Sequence, residues 1–234
     1  MVARGDLALE SGPGELTGLQ KNIIKQTIKG KKVAITATQM MESMINNPSP
    51  TRAEMTDVSN AVLDGSDAVM LSAETAIGKY PAETVEAMHE VCIGAESYHQ
   101  SISKKEEFKY SEVQHIDEAI ALSSMSIARN MGIKAIIALT ESGSTALMLS
   151  RIRSDIPIYA FTRNEVTQRR VSLYRGVISF PYPFLADNLS QVLDDIREQL
   201  LDSEVVNSGD LIIVTSGSPL KVPGGTNSLR LITI

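Results

Sequence analysis

Residues 32–38 read KVAITAT, a short apolar run rich in Val, Ile and Thr that predicts a buried strand of a parallel sheet. Before it, apolar side chains recur at helical spacing over residues 15–29, and the pattern stops at Gly30. After it, DAVML at 67–71 predicts a second buried strand. Further helical stretches are predicted at 39–45, 51–63 and 81–98. This alternation is typical of parallel α/β units.

The second half of the sequence continues the alternation. Strands are predicted at 135–139, 156–161, 177–180, 211–215 and 229–234. Helices are predicted at 115–132, 144–151, 165–173 and 188–201. We expect an open, mostly parallel five-stranded sheet with helices on both faces, whose last strand is a candidate antiparallel edge. Residues 101–114 are polar and aperiodic, so they predict a linker between domains at 1–100 and 115–234.

Composition excludes several classes of protein. The 234 residues carry a formal net charge of -6 with 43% hydrophobic residues, which disfavours binding to nucleic acid or to an anionic membrane surface. One cysteine, Cys92, cannot form a disulfide within the chain and fits a reducing compartment. There is no run of 18 apolar residues and no signal-peptide pattern, so a cytoplasmic location is expected.

The opening residues MVARGD are predicted to end a buried strand and run into a loop. Asp6 would then lie at the carboxyl end of a strand, where α/β barrels build their active sites, and its carboxylate suits Mg²⁺. Gly5 would let backbone N–H groups approach an anion closely. The alternative is that Asp6 is an ordinary loop residue that caps the next helix.

Polar side chains also follow the next two strands. Thr38 places a hydroxyl at the end of one, and Ser72 and Glu74 follow the other. The alternatives are that Thr38 is a helix N-cap and that Ser72 and Thr75 belong to a capping box. Because all three motifs occupy corresponding strand ends, a barrel would gather them around one pocket.

Arg52 lies in a helix start that is too polar for a plain core helix. It could bind an anion or a backbone carbonyl, or it could pair with Glu54 or Asp57.

Residues 140–145, TESGST, lie between a predicted strand and a predicted helix. Their hydroxyl and N–H groups would point to the positive end of the helix, which predicts a phosphate pocket. The alternative is a polar turn with Ser144 as N-cap. The three histidines, His89, His99 and His115, have no spaced partners and predict no metal site.

The segments MVARGDL and KVAITATQMMESMINNPSPTRAEMTDVSNAVLDGSDAVMLSAETAIGKYP resemble the pyruvate kinase family over the last three strand units of its barrel. The later segments LTESG, FTRN, LYRG and GGTN are similar to the regulatory domain of that family. The resemblance implies the C-terminal portion of a (β/α)8 barrel followed by a three-layer α/β/α domain. It departs from the family at Ala73, where Gly is usual, and at residues 8–12.

The resemblance implies phosphoryl transfer from phosphoenolpyruvate to ADP, which gives pyruvate and ATP in glycolysis. By resemblance, Asp6 is a ligand of Mg²⁺, with K⁺ a candidate second ion. The amides around Arg4, Gly5 and Asp6 bind the substrate carboxylate, and Thr38 forms a hydrogen bond with the substrate. Ser72, acting with a water, is a candidate proton relay that Glu74 tunes.

In the same family, the loop of Thr140, Glu141, Ser142, Gly143, Ser144 and Thr145 binds a phosphorylated allosteric effector, a sugar phosphate or a nucleotide such as AMP, with Lys221 as the cation in this sequence. Family members are usually homotetramers. The family supplies a catalytic lysine and a second acidic metal ligand from an upstream half, so we expect these 234 residues alone to lack appreciable kinase activity. The alternatives are a phosphometabolite-sensing module without catalysis and, ranked lower, an unrelated Mg²⁺-dependent barrel lyase or aldolase.

Overall fold

The computed structural model describes residues 1–12, 14–102, 113, 115–152, 154–183, 188–217 and 225–234, with the side chains of 99–102 excluded. The chain divides into two compact units, Met1–Glu106 and Glu107–Ile234. In the part of the chain that the structure describes, none of the helices combines the length and the apolar character needed to cross a membrane.

The first unit is a strip of parallel sheet with its connecting helices. Its elements are β1 (Val2–Ala3), α1 (Arg4–Ser11), α2 (Leu16–Lys29), β2 (Ile35–Ala37), a 3-10 helix (Glu42–Ile45), α3 (Arg52–Asp64), β3 (Ala68–Met70), α4 (Ala73–Ala76) and α5 (Pro81–Ile102). The strand order is β1-β2-β3, and both pairings are parallel. All three carboxyl ends therefore lie along the same edge of the sheet.

Helix α3 shows why these residues fold where they do. Thr51 accepts a hydrogen bond from the N–H of Glu54, and Glu54 accepts one from the N–H of Thr51, which completes a capping box at its start. At its end, Gly65 adopts a left-handed φ of 111°, a conformation that glycine reaches without strain. The helix buries Val58 and Ala61 in a methionine-rich cluster. The fully buried methionines of this cluster are Met40, Met41 and Met44.

Three expectations for the first unit need correction. The predicted loop after the first strand is wrong, because α1 begins at Arg4 immediately after β1. The helix predicted at 39–45 is only the 3-10 helix Glu42–Ile45. Helix α5 continues past residue 98 to Ile102, over the start of the predicted linker, and most of that linker lies outside the described residues.

The second unit is a five-stranded sheet with helices on both faces. Its elements are α6 (Ile116–Asn130), β4 (Ala135–Leu139), α7 (Ser144–Arg151), β5 (Ile158–Thr162), α8 (Glu165–Val171), β6 (Val177–Pro181), α9 (Leu189–Asp202), β7 (Leu211–Gly217) and β8 (Thr226–Thr233). The order is β6-β5-β4-β7-β8, and only β8 is antiparallel. The predicted five strands and the antiparallel edge are confirmed.

The order of the strands explains the three layers. The chain steps from β4 to β6 in one direction and then returns to β7 on the other side of β4. Right-handed connections therefore place α7 and α8 on one face of the sheet and α9 on the other. The side chains of Val192, Ile196 and Leu200 on α9 pack against the strands in the main core of the unit.

A cluster of aromatic side chains forms part of that core. The rings of Phe161 and Phe180 stack with centroids 5.1 Å apart. The hydroxyl of Tyr182 donates a 2.5 Å hydrogen bond to Asp195 on α9. Burial, followed by the hydrogen bond and the negative charge of Asp195, raises the pKa of Tyr182.

Candidate active site and phosphate loop

The side chain of Arg4 is buried against the end of β2. Its Nε and Nη2 donate to the carbonyl oxygen of Thr38 at 3.1 and 2.6 Å, and Nη2 also donates to the carbonyl oxygen of Gln39 at 2.8 Å. Nη1 forms an ion pair with Asp57 on α3. Only 5% of Arg4 is exposed, so the guanidinium is occupied by the protein itself.

The two carbonyls that Arg4 binds belong to residues in an unusual conformation. Thr38 has a φ of 70° and Gln39 a φ of 53°, so two consecutive residues other than glycine lie in the left-handed region. For a β-branched residue such as Thr this is a genuine outlier. We refer to Thr38 and Gln39 as the left-handed turn.

The left-handed turn places the hydroxyl of Thr38 against α1. Its Oγ1 accepts a 3.0 Å hydrogen bond from the N–H of Gly5 and donates one of 2.6 Å to the carbonyl oxygen of Ala37. Two of the predicted motifs, RGD and Thr38, are therefore in direct contact. Thr38 is not an N-cap, because the residues after it do not begin a helix until Glu42.

Asp6 is exposed in the first turn of α1. The first N–H groups of a helix have no partner within the helix, so this turn places backbone donors beside a carboxylate, and that of Gly5 already bonds to Thr38. Among the described residues there is no group of three or more His, Cys, Asp or Glu that could hold a metal ion. Since Mg²⁺ is often bound by one or two carboxylates with substrate phosphates, Asp6 fits the role of a single ligand and no more.

Glu74 connects the ends of β2 and β3. Its carboxylate accepts hydrogen bonds from the N–H of Ser72 at 2.8 Å and from the N–H of Met41 at 3.2 Å, and the residue is 2% exposed. Gly78 lies so close that a Cβ placed on it would be 2.1 Å from the carbonyl oxygen of Glu74. Sequence patterns did not identify Gly78, because its role depends on this approach of backbone to backbone.

Ser72 is the N-cap residue of α4, but its side chain does not cap the helix, so the predicted capping box is wrong. Its Oγ is buried and has no hydrogen-bond partner among the described residues. A buried hydroxyl without a partner is unfavourable unless a ligand or water completes its bonding. Ser72 therefore has both a donor and an acceptor available at this edge of the sheet.

Arg52 does not form the predicted ion pair with Glu54 or Asp57. Glu54 accepts hydrogen bonds from Ser43 and Thr51, and Asp57 pairs with Arg4. Arg52 instead lines a cleft of about 590 Å³ between α2 and α3. The cleft contains charges of both signs, since Lys21 and Asp64 also line it.

The predicted phosphate loop begins at the end of β4. The hydroxyl of Thr140 accepts a 2.9 Å hydrogen bond from the N–H of Gly143, and the hydroxyl of Thr145 bonds to that of Thr226 at the start of β8. Gly143, with a φ of 84°, is the N-cap of α7, so the alternative that Ser144 is the N-cap is wrong.

Two of the four hydroxyls in the loop are thus turned inward, to Gly143 and to Thr226. Ser142 and Ser144 are half-buried and lie 3.2 Å apart, hydroxyl to hydroxyl. They remain at the N-terminus of α7, where the helix favours an anion.

Charged residues surround this loop. Arg163 donates to Glu141 at 3.2 Å, and Nη1 of Arg170 is 3.5 Å from the carbonyl oxygen of Ser142. Thr167 on α8 donates to the carbonyl oxygen of Glu141 at 2.8 Å. Lys221, the predicted cation of the effector site, lies outside the described residues.

Comparisons with known proteins agree over both units. The family described as pyruvate kinase, barrel domain, matches residues 1–85, and pyruvate kinase, alpha/beta domain, matches residues 118–232. Pyruvate kinase II of Salmonella typhimurium is 50% identical over 235 residues, covering 100% of this chain and 48% of the relative. Pyruvate kinase of Thermotoga maritima is 43% identical over 239 residues, covering 100% of this chain and 49% of the relative.

A solved structure is similar as well. The crystal structure of a pyruvate kinase from Cryptosporidium parvum superimposes with a TM-score of 0.86 at 36% identity, covering 99% of this chain and 46% of that chain. The chain therefore spans about half the length of the relatives that it matches.

Proposed function

Because the chain belongs to the pyruvate kinase family, we propose that it forms part of an enzyme that transfers a phosphoryl group from phosphoenolpyruvate to ADP. The observation that carries the proposal is the edge where β1, β2 and β3 end. There the helix N-terminus with Asp6, the hydroxyl of Thr38 and the hydroxyl of Ser72 follow adjacent strands, and that of Ser72 has no partner in the part of the chain that the structure describes.

In the proposed reaction, the bond between phosphorus and the enol oxygen breaks and a bond forms from phosphorus to an oxygen of the β-phosphate of ADP. The enolate that remains takes a proton on carbon and becomes pyruvate. The protein supplies little covalent chemistry, since phosphoryl transfer depends on positioning and on neutralising charge. Bound Mg²⁺, with Asp6 as one of its ligands, would supply that neutralisation. We assign no residue of this chain to K⁺.

The residues of this chain would bind and orient the substrate. The N–H groups in the first turn of α1, at Arg4 and Asp6, are suited to a carboxylate, and that of Gly5 would join them by exchanging Oγ1 of Thr38 for the substrate. The hydroxyl of Thr38, held beside Gly5, would form a hydrogen bond with the substrate in place of its bond to the carbonyl oxygen of Ala37. Ser72 would hold or relay the proton for the enolate, and Glu74 would fix the backbone of Ser72 through its 2.8 Å hydrogen bond.

The test is a chimera in which this chain replaces the matching half of pyruvate kinase II from Salmonella typhimurium, to which it is 50% identical. We expect the chimera to convert phosphoenolpyruvate and ADP into pyruvate and ATP. Asp6→Asn should reduce kcat/KM by more than about 100-fold, because loss of a preorganised charge at the transition state has effects of this size. The 234-residue chain alone should show no appreciable turnover.

Glu10→Gln is the matched control, because Glu10 is an exposed carboxylate one turn further along the same helix. It should leave kcat/KM within about twofold, as expected for a surface substitution. A folded chimera without activity, or an Asp6→Asn chimera as active as the Glu10→Gln chimera, would contradict the proposal.

We also propose that residues 140–145 bind a phosphate ester, a sugar phosphate or AMP, as a regulator. The support is the pair Ser142 and Ser144 at the N-terminus of α7, with Arg163 and Arg170 nearby. Calorimetry should detect binding to the 234-residue chain and at least a tenfold weaker affinity in the double variant Ser142→Ala, Ser144→Ala, equivalent to about 1.4 kcal/mol.

Ser172→Ala is the control for the effector site, because Ser172 is an exposed residue on the same unit whose hydroxyl donates to the carbonyl oxygen of Gln168. Equal affinities for the wild type and the double variant would count against the site. Binding by the chain together with an inactive chimera would favour the second candidate function, a phosphometabolite-sensing module, which the compactness of the second unit supports.

The cytoplasmic location and the homotetramer are further parts of the proposal, the first resting on the sequence composition and the second on the family resemblance. Sedimentation of the chimera should give the mass of four chains, and a monomer at micromolar concentration would contradict the tetramer.

A further inference from the structure

The sequence predicted a role for the backbone amide of Arg4 and none for its side chain, which points into the protein. We propose that Arg4 is a positioning residue, whose guanidinium holds the left-handed turn and thereby sets the place of the Thr38 hydroxyl. The inference rests on the proposed function only where it takes Thr38 to be a substrate contact. The coupling of Arg4 to the left-handed turn does not depend on which reaction the enzyme catalyses.

The left-handed turn needs such support. Thr38 and Gln39 have φ values of 70° and 53°, a region that side chains with a Cβ disfavour and that a β-branched residue disfavours most. Residues persist in this conformation only where the surroundings over-determine it, and they do so most often at functional sites. No glycine relieves this turn.

The contacts of Arg4 can stabilise the unfavourable backbone conformation of the left-handed turn. In the turn, the carbonyl oxygens of both Thr38 and Gln39 reach the same nitrogen, Nη2, at 2.6 and 2.8 Å. A planar guanidinium can donate in several fixed directions at once, which the single point charge of a lysine does not reproduce. The ion pair with Asp57 holds the other side of the guanidinium. Arg4 therefore favours the one backbone conformation in which these carbonyls converge.

The effect reaches the candidate site through Thr38. Once the turn is fixed, Oγ1 of Thr38 receives the N–H of Gly5 at 3.0 Å. This amide lies in the first turn of α1, next to Asp6. Arg4 is 5% exposed and its Nε and Nη2 are engaged by carbonyl oxygens, so its part is to orient Thr38 and not to contact a substrate.

The test is amide hydrogen exchange at Gly5 in the 234-residue chain. We expect Arg4→Lys to accelerate the exchange of Gly5 by about tenfold or more, since a hydrogen bond to a charged group is lost. The amide of Ala61 in α3 should keep its protection, which shows that the unit remains folded. Lys21→Gln is the matched control, because Lys21 also pairs with a carboxylate of α3, Asp64, but is exposed. It should leave Gly5 unchanged.

A second substitution that restores the protection of Gly5 distinguishes a positioning role of Arg4 from a general structural role. Gln39 is exposed, so Gln39→Gly removes little packing and makes the left-handed φ acceptable. In the Arg4→Lys background it should restore the protection of Gly5 to within about threefold of wild type. Unchanged exchange at Gly5 in Arg4→Lys, or failure of Gln39→Gly to restore it, overturns the inference.

If Arg4→Lys also accelerates exchange at the Ala61 amide, the test is made with Asp57→Asn instead. It leaves Arg4 in place and removes only its carboxylate partner. We expect a few-fold acceleration at Gly5 that Gln39→Gly again reverses, and no acceleration in Asp57→Asn overturns the inference. Because none of these measurements uses turnover, an inactive chimera with intact coupling would reject the proposed function alone.

Discussion

The ends of β2 and β4 hold their loops in different ways. After β2, the backbone turns through Thr38 and Gln39 at positive φ, and charged side chains hold it: Arg4 binds its carbonyls, and Glu74 binds the N–H of Met41 just beyond. After β4, the positive φ falls on Gly143, and the neutral hydroxyls of Thr140 and Thr145 make the buried hydrogen bonds, while the contacts of Arg163 and Arg170 to the loop are exposed.

The difference indicates two levels of preorganisation. Buried charge-assisted hydrogen bonds are stronger than neutral ones and can hold backbone that would otherwise relax. The loop after β4 has no such strain, since glycine reaches its φ freely, and its hydroxyls can exchange one partner for another. The first arrangement suits a site with fixed geometry, and the second suits a loop that responds to a ligand.

The largest expected effect is at Gly78, beside the Glu74 link. In Gly78→Ala, the new Cβ would lie 2.1 Å from the backbone oxygen of Glu74, so α4 must shift. We expect a loss of about 3 kcal/mol in the stability of the first unit, measured by native-state hydrogen exchange. Gly94→Ala is the control, because nothing lies within 4 Å of its Cβ and the helix should gain up to about 1 kcal/mol. Equal changes in stability for Gly78→Ala and Gly94→Ala would contradict the importance of the close contact at Gly78.

A smaller loss is expected at Gly143 in the second unit. Its Cβ would combine a positive φ of 84° with a 2.9 Å contact to Cγ1 of Val171, a side chain that can move. We expect Gly143→Ala to destabilise this unit by about 2 kcal/mol, as exchange in β4 should report. Gly132→Ala, with a φ of 63° and open space, isolates the conformational part at about 1 kcal/mol. A Gly143→Ala effect no larger than this control would show that the contact with Val171 is irrelevant.

Neutral hydroxyls should give a distinctive pattern in a double-mutant cycle. Thr145→Val or Thr226→Val alone leaves a buried hydroxyl without its partner, and each should cost about 1.5 kcal/mol. The double variant should cost less than the sum, because both polar groups are then gone. Strict additivity, measured by exchange in β7, would mean that the two hydroxyls do not act as a pair.

The smallest effect concerns pH and the capping box of α3. Burial raises the pKa of Glu54, but the hydrogen bonds from Ser43 and Thr51 outweigh it, so the pKa lies below the usual 4.5. A lowered pKa contributes stability above the unfolded value that is lost as the pH falls through the folded pKa. Glu54→Gln should therefore be about 1 kcal/mol less stable at pH 7 and match wild type in strong acid. A difference that stays constant with pH would exclude this contribution.

The strands and most helices followed from local patterns. Five short apolar runs separated by glycines predicted the second sheet, and in the central strands β4 and β5 every residue of the run is buried. The site motifs RGD, Thr38 and Ser72 could be placed at a common edge because parallel strands end at the same side. Helix α1 was missed, since Gly5 and Asp6 are weak helix formers and mark a loop in most sequences.

The contacts that shape the site could not be predicted. Arg4 meets Thr38 34 positions later and Asp57 53 positions later, and no periodicity encodes such pairs. A left-handed Thr contradicts local preference, so only the surrounding structure selects it. The inward direction of the Thr140 and Thr145 hydroxyls could not be predicted either. The sequence of a strand-to-helix turn rich in hydroxyls does not indicate which side chains face inward.

The left-handed turn runs directly into Met40 and Met41, both fully buried, and Sδ of Met40 touches Nη2 of Arg4 at 2.9 Å. Thioethers are the softest and most adaptable of core side chains, and they are also the ones that peroxide converts into polar sulfoxides. An oxidant reaches these sulfurs only when the first unit opens. The rate of sulfoxide formation at Met40 should therefore report how often the first unit opens around the left-handed turn.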